Sequence, residues 1–372
     1  MGKAGATEPL CQHVARMRFS IVSRVLPQRE GGPPHRALLA LGDGLAAEGH
    51  DVECWSWGPE EPAEELPAWA KWEPLPYEPW WRVKAWALLR PRHDTARVGW
   101  EPAPGAVALA DEPISYAAVD RSPYSAVTFH YLSKIDVPVL RIPSPWDIQN
   151  LRAERNAAGK AKLVFAYSDR VGRRAGGRSH VVPIAYPMPE EPLPVRDDPV
   201  ALLLANWLWP PNARSLKWML ELWPEVRGRV PGAQLVLAGW GLDEMGVTSG
   251  AGVRVIGSVA RSADALAEAS VFAFPCPPTS GPKTKVLEAL SYGVPVVTTE
   301  YGIEGLWLKA GDGAVVASRA QFADALASML TDEERRRHLA TTGRAAMLAH
   351  HSGPAAARAR VAVCAAAFGL SA

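Results

Sequence analysis

The sequence has little of what marks nucleic-acid-binding, membrane-spanning or disulfide-bonded proteins. Its 40 lysines and arginines balance 39 aspartates and glutamates, so it lacks the basic excess of a nucleic-acid binder. No apolar run is long enough to span a bilayer, and residues 1–16 lack the apolar stretch of a secretion signal. We therefore expect a soluble cytoplasmic protein without a nucleic-acid partner, and 372 residues are enough for two domains.

Closely spaced metal-binding or redox motifs are also missing. The cysteines are scattered at Cys11, Cys54, Cys276 and Cys364, which indicates small buried apolar side chains rather than a disulfide framework. Asp197-Asp198 is not an Asp-x-Asp metal motif and falls in a proline-rich segment. We expect neither a metal nor another cofactor.

The first half of the chain shows a strand–helix–strand pattern. An apolar run at 18–24 leads into a glycine- and proline-rich loop, then an amphipathic segment at 35–48, Gly49 and a strand at 51–56. This βαβ pattern predicts a parallel, doubly wound sheet. Further strands are predicted at 106–110, 137–142, 163–167 and 181–185, whereas 126–132 fits strand or helix.

The pattern restarts after a Pro-, Glu- and Asp-rich segment. We predict an N-terminal Rossmann-like domain at 1–186 (1–16 flexible), a linker at 187–199, and a second Rossmann-like domain at 200–350. A last helix within 351–372 is expected to pack back toward the first domain. Ligands of such sheets bind beyond the carboxyl ends of the strands, which places the site in the interdomain cleft. In the second domain, strands are predicted at 200–205, 234–238, 253–256, 271–274 and 294–298, and helices at 212–226, 263–269, 285–292, from 333 onward and 354–368.

The segment Pro275–Val297 carries the strongest chemical signal. A strand ends at residue 274, a loop containing Gly281 follows, and a helix begins near Lys283. Free backbone N–H groups and the helix dipole make such a helix start an anion site, and Lys283 and Lys285 add full charges. Glu288, one turn further, has the carboxylate needed to accept both hydroxyls of a ribose. Together these features predict a nucleoside diphosphate site.

At these residues the chain resembles the retaining glycosyltransferases of the GT-B fold, in particular glycosyltransferase family 4. The motif Leu287-Glu-Ala-Leu-Ser-Tyr-Gly-Val-Pro-Val-Val297 matches the family's second glutamate and the strand after it. The segments 236–241 and 255–259 follow the family's order. The family's first glutamate, which contacts the donor sugar, would stand at position 280, where this chain has Ser280.

The resemblance implies two facing Rossmann-like domains and transfer of a sugar from a nucleoside diphosphate sugar to an acceptor hydroxyl, with retention and without metal. Many relatives place Arg and Lys after the first strand of the second domain, where this chain has Asn206 and Asn212. We therefore expect Lys283 and Lys285 to stabilise the leaving diphosphate. The expected donor-binding residues are Gly31, Gly32, Asn206, Gly239, Val259, Ser280, Gly281, Lys283, Thr284, Lys285 and Glu288.

The first half offers fewer chemical signals. Gly31-Gly32 follows the first strand, where the family has a glycine-rich loop near the donor phosphates. Asp111 follows the strand at 106–110, at a position that faces the acceptor in relatives, and His130 and Asp147 are rivals for that role. The expected catalytic residues are Asp111, His130 and Lys285. A retaining reaction needs no strong base because the leaving phosphate takes the proton, whereas inversion requires Asp111 or His130 as base.

The acceptor is left open as a small molecule, a lipid or a glycan. Residues 80–92 are aromatic, apolar and basic, as in a peripheral membrane contact on the inner face of a membrane or an ordinary packed helix. Two other functions remain: a catalytically degenerate nucleotide-sugar binder, because Ser280 replaces a glutamate, and a nucleotide-sugar epimerase on the same fold.

Overall fold

The computed structural model describes residues 16–29, 31–58, 61–74, 100–130, 132, 145–176, 179–309 and 311–370. The predictions of a flexible start (apart from residue 16), of a membrane-contacting segment at 80–92 and of a strand at 137–142 lie outside these residues. No helix in the described ranges is long and apolar enough to cross a membrane.

The first half forms a parallel sheet with helices packed on it, as predicted. In the described part of the chain it has seven strands in the order β3-β2-β1-β4-β5-β6-β7. The strands are β1 Arg18–Ser23, β2 Asp51–Gly58, β3 Ala70–Pro74, β4 Val107–Ala110, β5 Ser125–Phe129, β6 Leu163–Ala166 and β7 Ser179–Val181, and the helices are α1 Pro33–Ala47, α2 Pro145–Lys160 and α3 Asp169–Ala175. A short 3₁₀ helix spans Pro113–Ala118.

Three details of this sheet differ from the sequence expectation. The ambiguous segment 126–132 contains strand β5, which is fully buried. The prediction of a strand at 181–185 was wrong beyond Val181, because Pro183 has no N–H to donate to a ladder. Strand β3 was missed; it adds a parallel edge strand beside β2.

The second half forms its own six-stranded parallel sheet over the described residues, ordered β10-β9-β8-β11-β12-β13. The predicted strands and helices all occur, with ends shifted by a few residues. The strands are β8 Val200–Leu204, β9 Gln234–Ala238, β10 Val253–Gly257, β11 Val271–Phe274, β12 Val296–Thr298 and β13 Ala314–Val316, and the helices are α4 Pro210–Arg229, α5 Ser262–Leu266, α6 Thr284–Ser291, α7 Phe322–Thr331, α8 Glu333–His350 and α9 Gly353–Phe368.

The last helix returns to the first domain. α9 packs against α1 so closely that a Cβ added to Gly44 would lie 2.1 Å from the carbonyl oxygen of Gly353. Arg358 of α9 forms an ion pair with Glu48 at 2.6 Å. Residues 187–199 contain no helix or strand and connect the two sheets. In each sheet the strand order reverses its direction beside the first strand, β1 or β8. The carboxyl ends of the two sheets border one cleft.

Candidate active site

The loop between β11 and α6 forms the centre of the second domain's side of the cleft. Gly281 has φ +75°, a left-handed conformation that favours glycine. Lys283 is the N-cap residue of α6 and is buried; its Nζ donates to the carbonyl oxygens of Ser280, at 3.2 Å, and Gly281. Thr284 begins the helix. The lysine therefore supports the loop from behind instead of extending into the solvent.

Lys285 connects this helix to the first turn of α4, the helix that follows β8. Its Nζ donates to Oδ1 of Asn212 at 2.5 Å and lies 4.5 Å from the centroid of the Phe274 ring. Burial, assisted by the charge of Lys283, lowers the pKa of Lys285 to about 7, although Cys276 acts in the opposite direction. An anion bound beside Nζ would favour the charged ammonium.

Glu288 lies one turn beyond Lys285 and is buried. Its Oε1 accepts hydrogen bonds from Nη1 of Arg36, at 2.5 Å, and from Oγ of Ser262, also at 2.5 Å. Arg36 belongs to α1 of the first domain, so this ion pair crosses the cleft. The Arg36 guanidinium also lies 5.6 Å from the ring centroid of Tyr186. Glu288 is thus placed by contacts from both domains.

The other predicted donor residues of the second domain lie in loops after consecutive strands. Asn206 follows β8, and its carbonyl oxygen accepts a hydrogen bond from Nδ2 of Asn212 at 2.7 Å. Gly239 follows β9 with φ +115°, and an added Cβ would collide with the carbonyl oxygen of Ala205. Val259 follows β10 and is partly buried against the core. Only glycine fits position 239, where two strand ends meet closely.

Asp111 and His130 form the polar pair of the first domain. Asp111 is buried, and Nε2 of His130 lies 2.6 Å from its backbone oxygen and 3.3 Å from its Oδ1. Ser23 donates to the other carboxylate oxygen at 3.2 Å. The imidazole packs edge-on against the Tyr167 ring, with centroids 5.1 Å apart. Asp111 and His130, which the sequence offered as alternatives for one role, are therefore in direct contact.

Each member of this pair shifts the pKa of the other. Burial opposes the charged forms, but the Asp111 carboxylate outweighs it and raises the pKa of His130. For Asp111, burial is outweighed by His130, its hydrogen bond, Arg360 and Ser23, so its pKa is lowered. Glu112 is the reverse case: burial and the neighbouring Asp111 raise its pKa. The arrangement favours an ionised Asp111 beside a protonated His130.

Two contacts bring the loop before α6 onto the first domain. The backbone N–H of Leu132, two residues after His130, donates to Oγ of Ser280 at 3.1 Å. Nη2 of Arg170, in α3, donates to the carbonyl oxygen of Thr279. His130 and the start of α6 therefore lie on opposite walls of the same narrow region of the cleft.

A cavity of about 480 Å³ lies beside this region, between α3 and residues 300–307. Arg170 forms an ion pair with Glu304 at 2.7 Å across it, and Ser168 donates to the same carboxylate at 2.7 Å. Tyr301 and the partly exposed Trp307 supply aromatic surface. Tyr167 also lines this cavity, and it is the residue whose ring contacts His130.

The structure thus groups most of the predicted residues around one cleft. Gly32 is the N-cap of α1, and Gly31 precedes it with φ +117°. Arg36 lies one turn further along α1. Neither Arg36 nor Ser262 was predicted from the sequence. For Arg36, the available signal was a basic residue one turn after a Gly-Gly helix start. The side chain of Asp147 lies outside the described residues. Within those residues no group of three or more His, Cys, Asp or Glu side chains is arranged to hold a metal ion.

Residues 198–332 match the family described as Glycosyl transferases group 1. No curated protein matches the sequence. Sucrose-phosphate synthase from Thermosynechococcus elongatus is similar in structure, with a TM-score of 0.71 and 16% identity over 96% of this chain and 100% of that one. The HepE protein of Anabaena, solved with UDP and glucose, has a TM-score of 0.65 and 13% identity over 93% and 99%.

TarM is a further structural neighbour, with a TM-score of 0.57 and 11% identity over 70% of this chain. The chain spans 55% of the length of TarM. The two parallel-sheet domains, the closing helix and these neighbours establish the GT-B fold. The expectation of that fold is confirmed, and the family match at residues 198–332 includes α6.

Proposed function

We propose that the protein is a glycosyltransferase that moves a sugar from a nucleoside diphosphate sugar to an acceptor hydroxyl. The observation that carries the proposal is the hydrogen bond from Leu132 N–H to Ser280 Oγ. This contact supports a donor site at the start of α6 that faces His130 and Asp111 across the cleft. A donor held by one domain and an acceptor held by the other would meet there.

On the donor side, the N-terminus of α6 and Lys285 hold the diphosphate while Glu288 accepts the ribose hydroxyls. Oε1 of Glu288 accepts hydrogen bonds from Arg36 and Ser262, so in this proposal Oε2 accepts those of the ribose. Lys285 supplies the cation that relatives carry after the first strand of this domain, because its Nζ reaches Asn212 of the following helix. As the glycosidic bond breaks, the ammonium stabilises the charge that develops on the diphosphate. Protein cations carry this role, so we propose metal-independent transfer.

On the acceptor side, a protonated His130 cannot accept a proton from the attacking hydroxyl. It can donate a hydrogen bond and orient that hydroxyl or the transferred sugar. The proton then passes to the leaving phosphate, and the sugar keeps its configuration. The pKa directions of the His130–Asp111 pair thus support retention over base-catalysed inversion.

The acceptor itself we propose to be hydroxyl-rich, such as a glycan. The cavity beside Tyr167 combines charged groups, including Arg170 and Glu304, with the aromatic rings of Tyr301 and Trp307. Aromatic faces and charged hydrogen-bonding groups suit a sugar, whereas a lipid chain needs a continuous apolar wall. Trp307→Ala should raise the KM for a glycan acceptor and leave the donor KM unchanged, with the exposed Trp240→Ala as control.

The proposal is tested in two steps. Thermal-shift titrations with UDP, GDP, dTDP and ADP, without added metal, should show stabilisation by one nucleotide because it binds the folded state. The corresponding labelled donor should then give a glycosylated acceptor. Nucleotide binding without product, whichever acceptor is offered, would support a catalytically degenerate binder. That alternative was raised because Ser280 stands where a glutamate is expected. Conversion of the free donor without acceptor would indicate an epimerase.

A further inference from the structure

Arg360 is a buried cation from the last helix inside the first domain. It is 1% exposed, and its guanidinium lies 4.9 Å from the ring centroid of Phe165 and 5.5 Å from that of Tyr167. Nη1 donates to Oγ1 of Thr128 at 3.1 Å and Nη2 to the Tyr167 hydroxyl at 2.9 Å. Both partners are neutral, and Nε is buried with no partner among the described residues.

Such a cation is costly for the fold. Burying an arginine is unfavourable unless nearby anions or other polar groups compensate. The two ring faces and two hydroxyls compensate only in part, because none of them carries a negative charge. Replacing a buried ionic group by an apolar side chain of similar volume is often neutral for stability, so stability alone does not account for an arginine here.

The surroundings of Arg360 lead directly to the acceptor side of the site. The Tyr167 ring that it stacks on and hydrogen-bonds is the ring that packs edge-on against His130. Arg360 and His130 therefore contact the same ring, and the charge of Arg360 acts on Asp111 through an interior of low dielectric constant.

We propose that Arg360 is a positioning residue for the acceptor-side pair: through its hydrogen bond and ring contact with Tyr167 it fixes that ring against His130, and it adds a buried positive charge to the surroundings of the pair. The expected effect on transfer rates rests on the proposed transferase function, whereas the expected effect on the ionisation of Asp111 does not. It gives the return of α9 to the first domain a role beyond closing the fold. The last helix completes the acceptor half of the site.

The charged and titratable groups around Asp111 define how the proposal is measured. His130 and Glu112 adjoin it from the same end of the sheet, Cys54 faces it from β2, and Tyr167 and Arg360 face it from β6 and α9. Of these, His130 and Arg360 are the cations. Removing the charge of Arg360 should raise the pKa of Asp111, since an opposite charge nearby favours the ionised carboxylate.

The experiment titrates the Asp111 carboxyl carbon by NMR in the full chain. Arg360→Gln keeps hydrogen-bonding capacity toward the hydroxyls and removes the charge, so the Asp111 midpoint should rise; Arg360→Lys should restore it. Arg336→Gln is the matched control: Arg336 is 2% exposed, lies on α8, and also has a buried Nε without a described partner. This control should leave the midpoint unchanged. An unchanged midpoint in Arg360→Gln would overturn the proposal.

Two further readouts keep the proposal testable. In the wild type the Asp111 midpoint must lie below the ordinary aspartate value, and a midpoint at or above that value contradicts the inference even if Arg360→Gln does not fold. In transfer assays the acid limb of the pH profile should move to higher pH in Arg360→Gln by the amount that the NMR titration shows, with affinity unchanged for the nucleotide that stabilises the wild type. If the NMR shift occurs and the wild type transfers no sugar, the positioning role stands and the proposed function fails.

Discussion

The two halves of the cleft place their charges in different ways. The second domain takes its groups from one short stretch: Lys283, Lys285 and Glu288 all lie at the start of α6. The first domain assembles its pair from the ends of β4 and β5 and supports it with a residue from α9. A helix start supplies fixed positive potential for the proposed diphosphate, whereas the acceptor wall is built from separate parts. We infer that the acceptor side is the more sensitive to distant changes, while the donor side depends on the other domain through the ion pair of Glu288 with Arg36.

The largest expected effect comes from removing the donor-side cation. Lys285→Ala should lower turnover by about 100- to 1000-fold, because the developing diphosphate charge loses a preorganised donor. Initial rates with labelled donor at saturating acceptor measure it. The exposed Lys217→Ala on α4 is the control and should stay near wild type. Near-normal turnover of Lys285→Ala would remove the charge role assigned to this lysine.

A second test separates ribose recognition from phosphate recognition. Glu288→Gln should weaken nucleotide binding by about 10- to 100-fold, the usual range for a charge-assisted hydrogen bond. The sharper readout compares a ribonucleoside diphosphate with its 2′-deoxy analogue by calorimetry. The wild type should discriminate between them, and Glu288→Gln should not. Equal discrimination by both proteins would place the ribose elsewhere; the exposed Glu225→Gln, also on a helix, serves as control.

The two halves also differ in how much of their site can be predicted from the sequence. The helix start at 283–288 is local: a strand, a glycine loop and a helix follow one another, so the donor side is readable from adjacent residues. The pairing of Asp111 with His130 depends on two strands being neighbours in the sheet, and the approach of Arg360 depends on where α9 packs. The pairing of Arg36 with Glu288 could not be predicted for the same reason, since the two residues lie in different domains. Contacts between distant segments carry no periodic signal along the chain.

On the acceptor side, His130→Gln tests retention against inversion. If the imidazole orients the acceptor by a hydrogen bond, loss of transfer should be about tenfold, with nucleotide affinity unchanged. A general base would instead be worth about 100- to 10,000-fold. His180→Gln, on the exposed part of β7, is the control for surface histidine replacement. A loss in the larger range, with an inverted product by NMR, would contradict the proposed stereochemistry.

The smallest expected effect is a pH dependence that belongs to the donor side. Because burial lowers the pKa of Lys285 to about 7, the free protein loses this ammonium charge as pH rises through that value. A bound diphosphate stabilises the ammonium and raises its pKa, so binding takes up a proton above pH 7. Nucleotide affinity should therefore fall as pH rises from 7, by at most about tenfold per pH unit, until the pKa of the complex is reached.

Affinities measured between pH 6.5 and 9 test this dependence, and proton uptake can be read from the buffer dependence of the calorimetric heat. Lys285→Arg should abolish the pH dependence, because a guanidinium stays charged across this range. This pH dependence is expected to arise from Lys285 and not from the first domain, so Asp111→Asn should leave the pH dependence of nucleotide affinity unchanged. A pH-independent affinity in the wild type would mean that Lys285 does not contact the diphosphate. Because Lys283 is buried behind the loop, Arg36 would then be the candidate cation, and the donor half would depend on a contact between the domains.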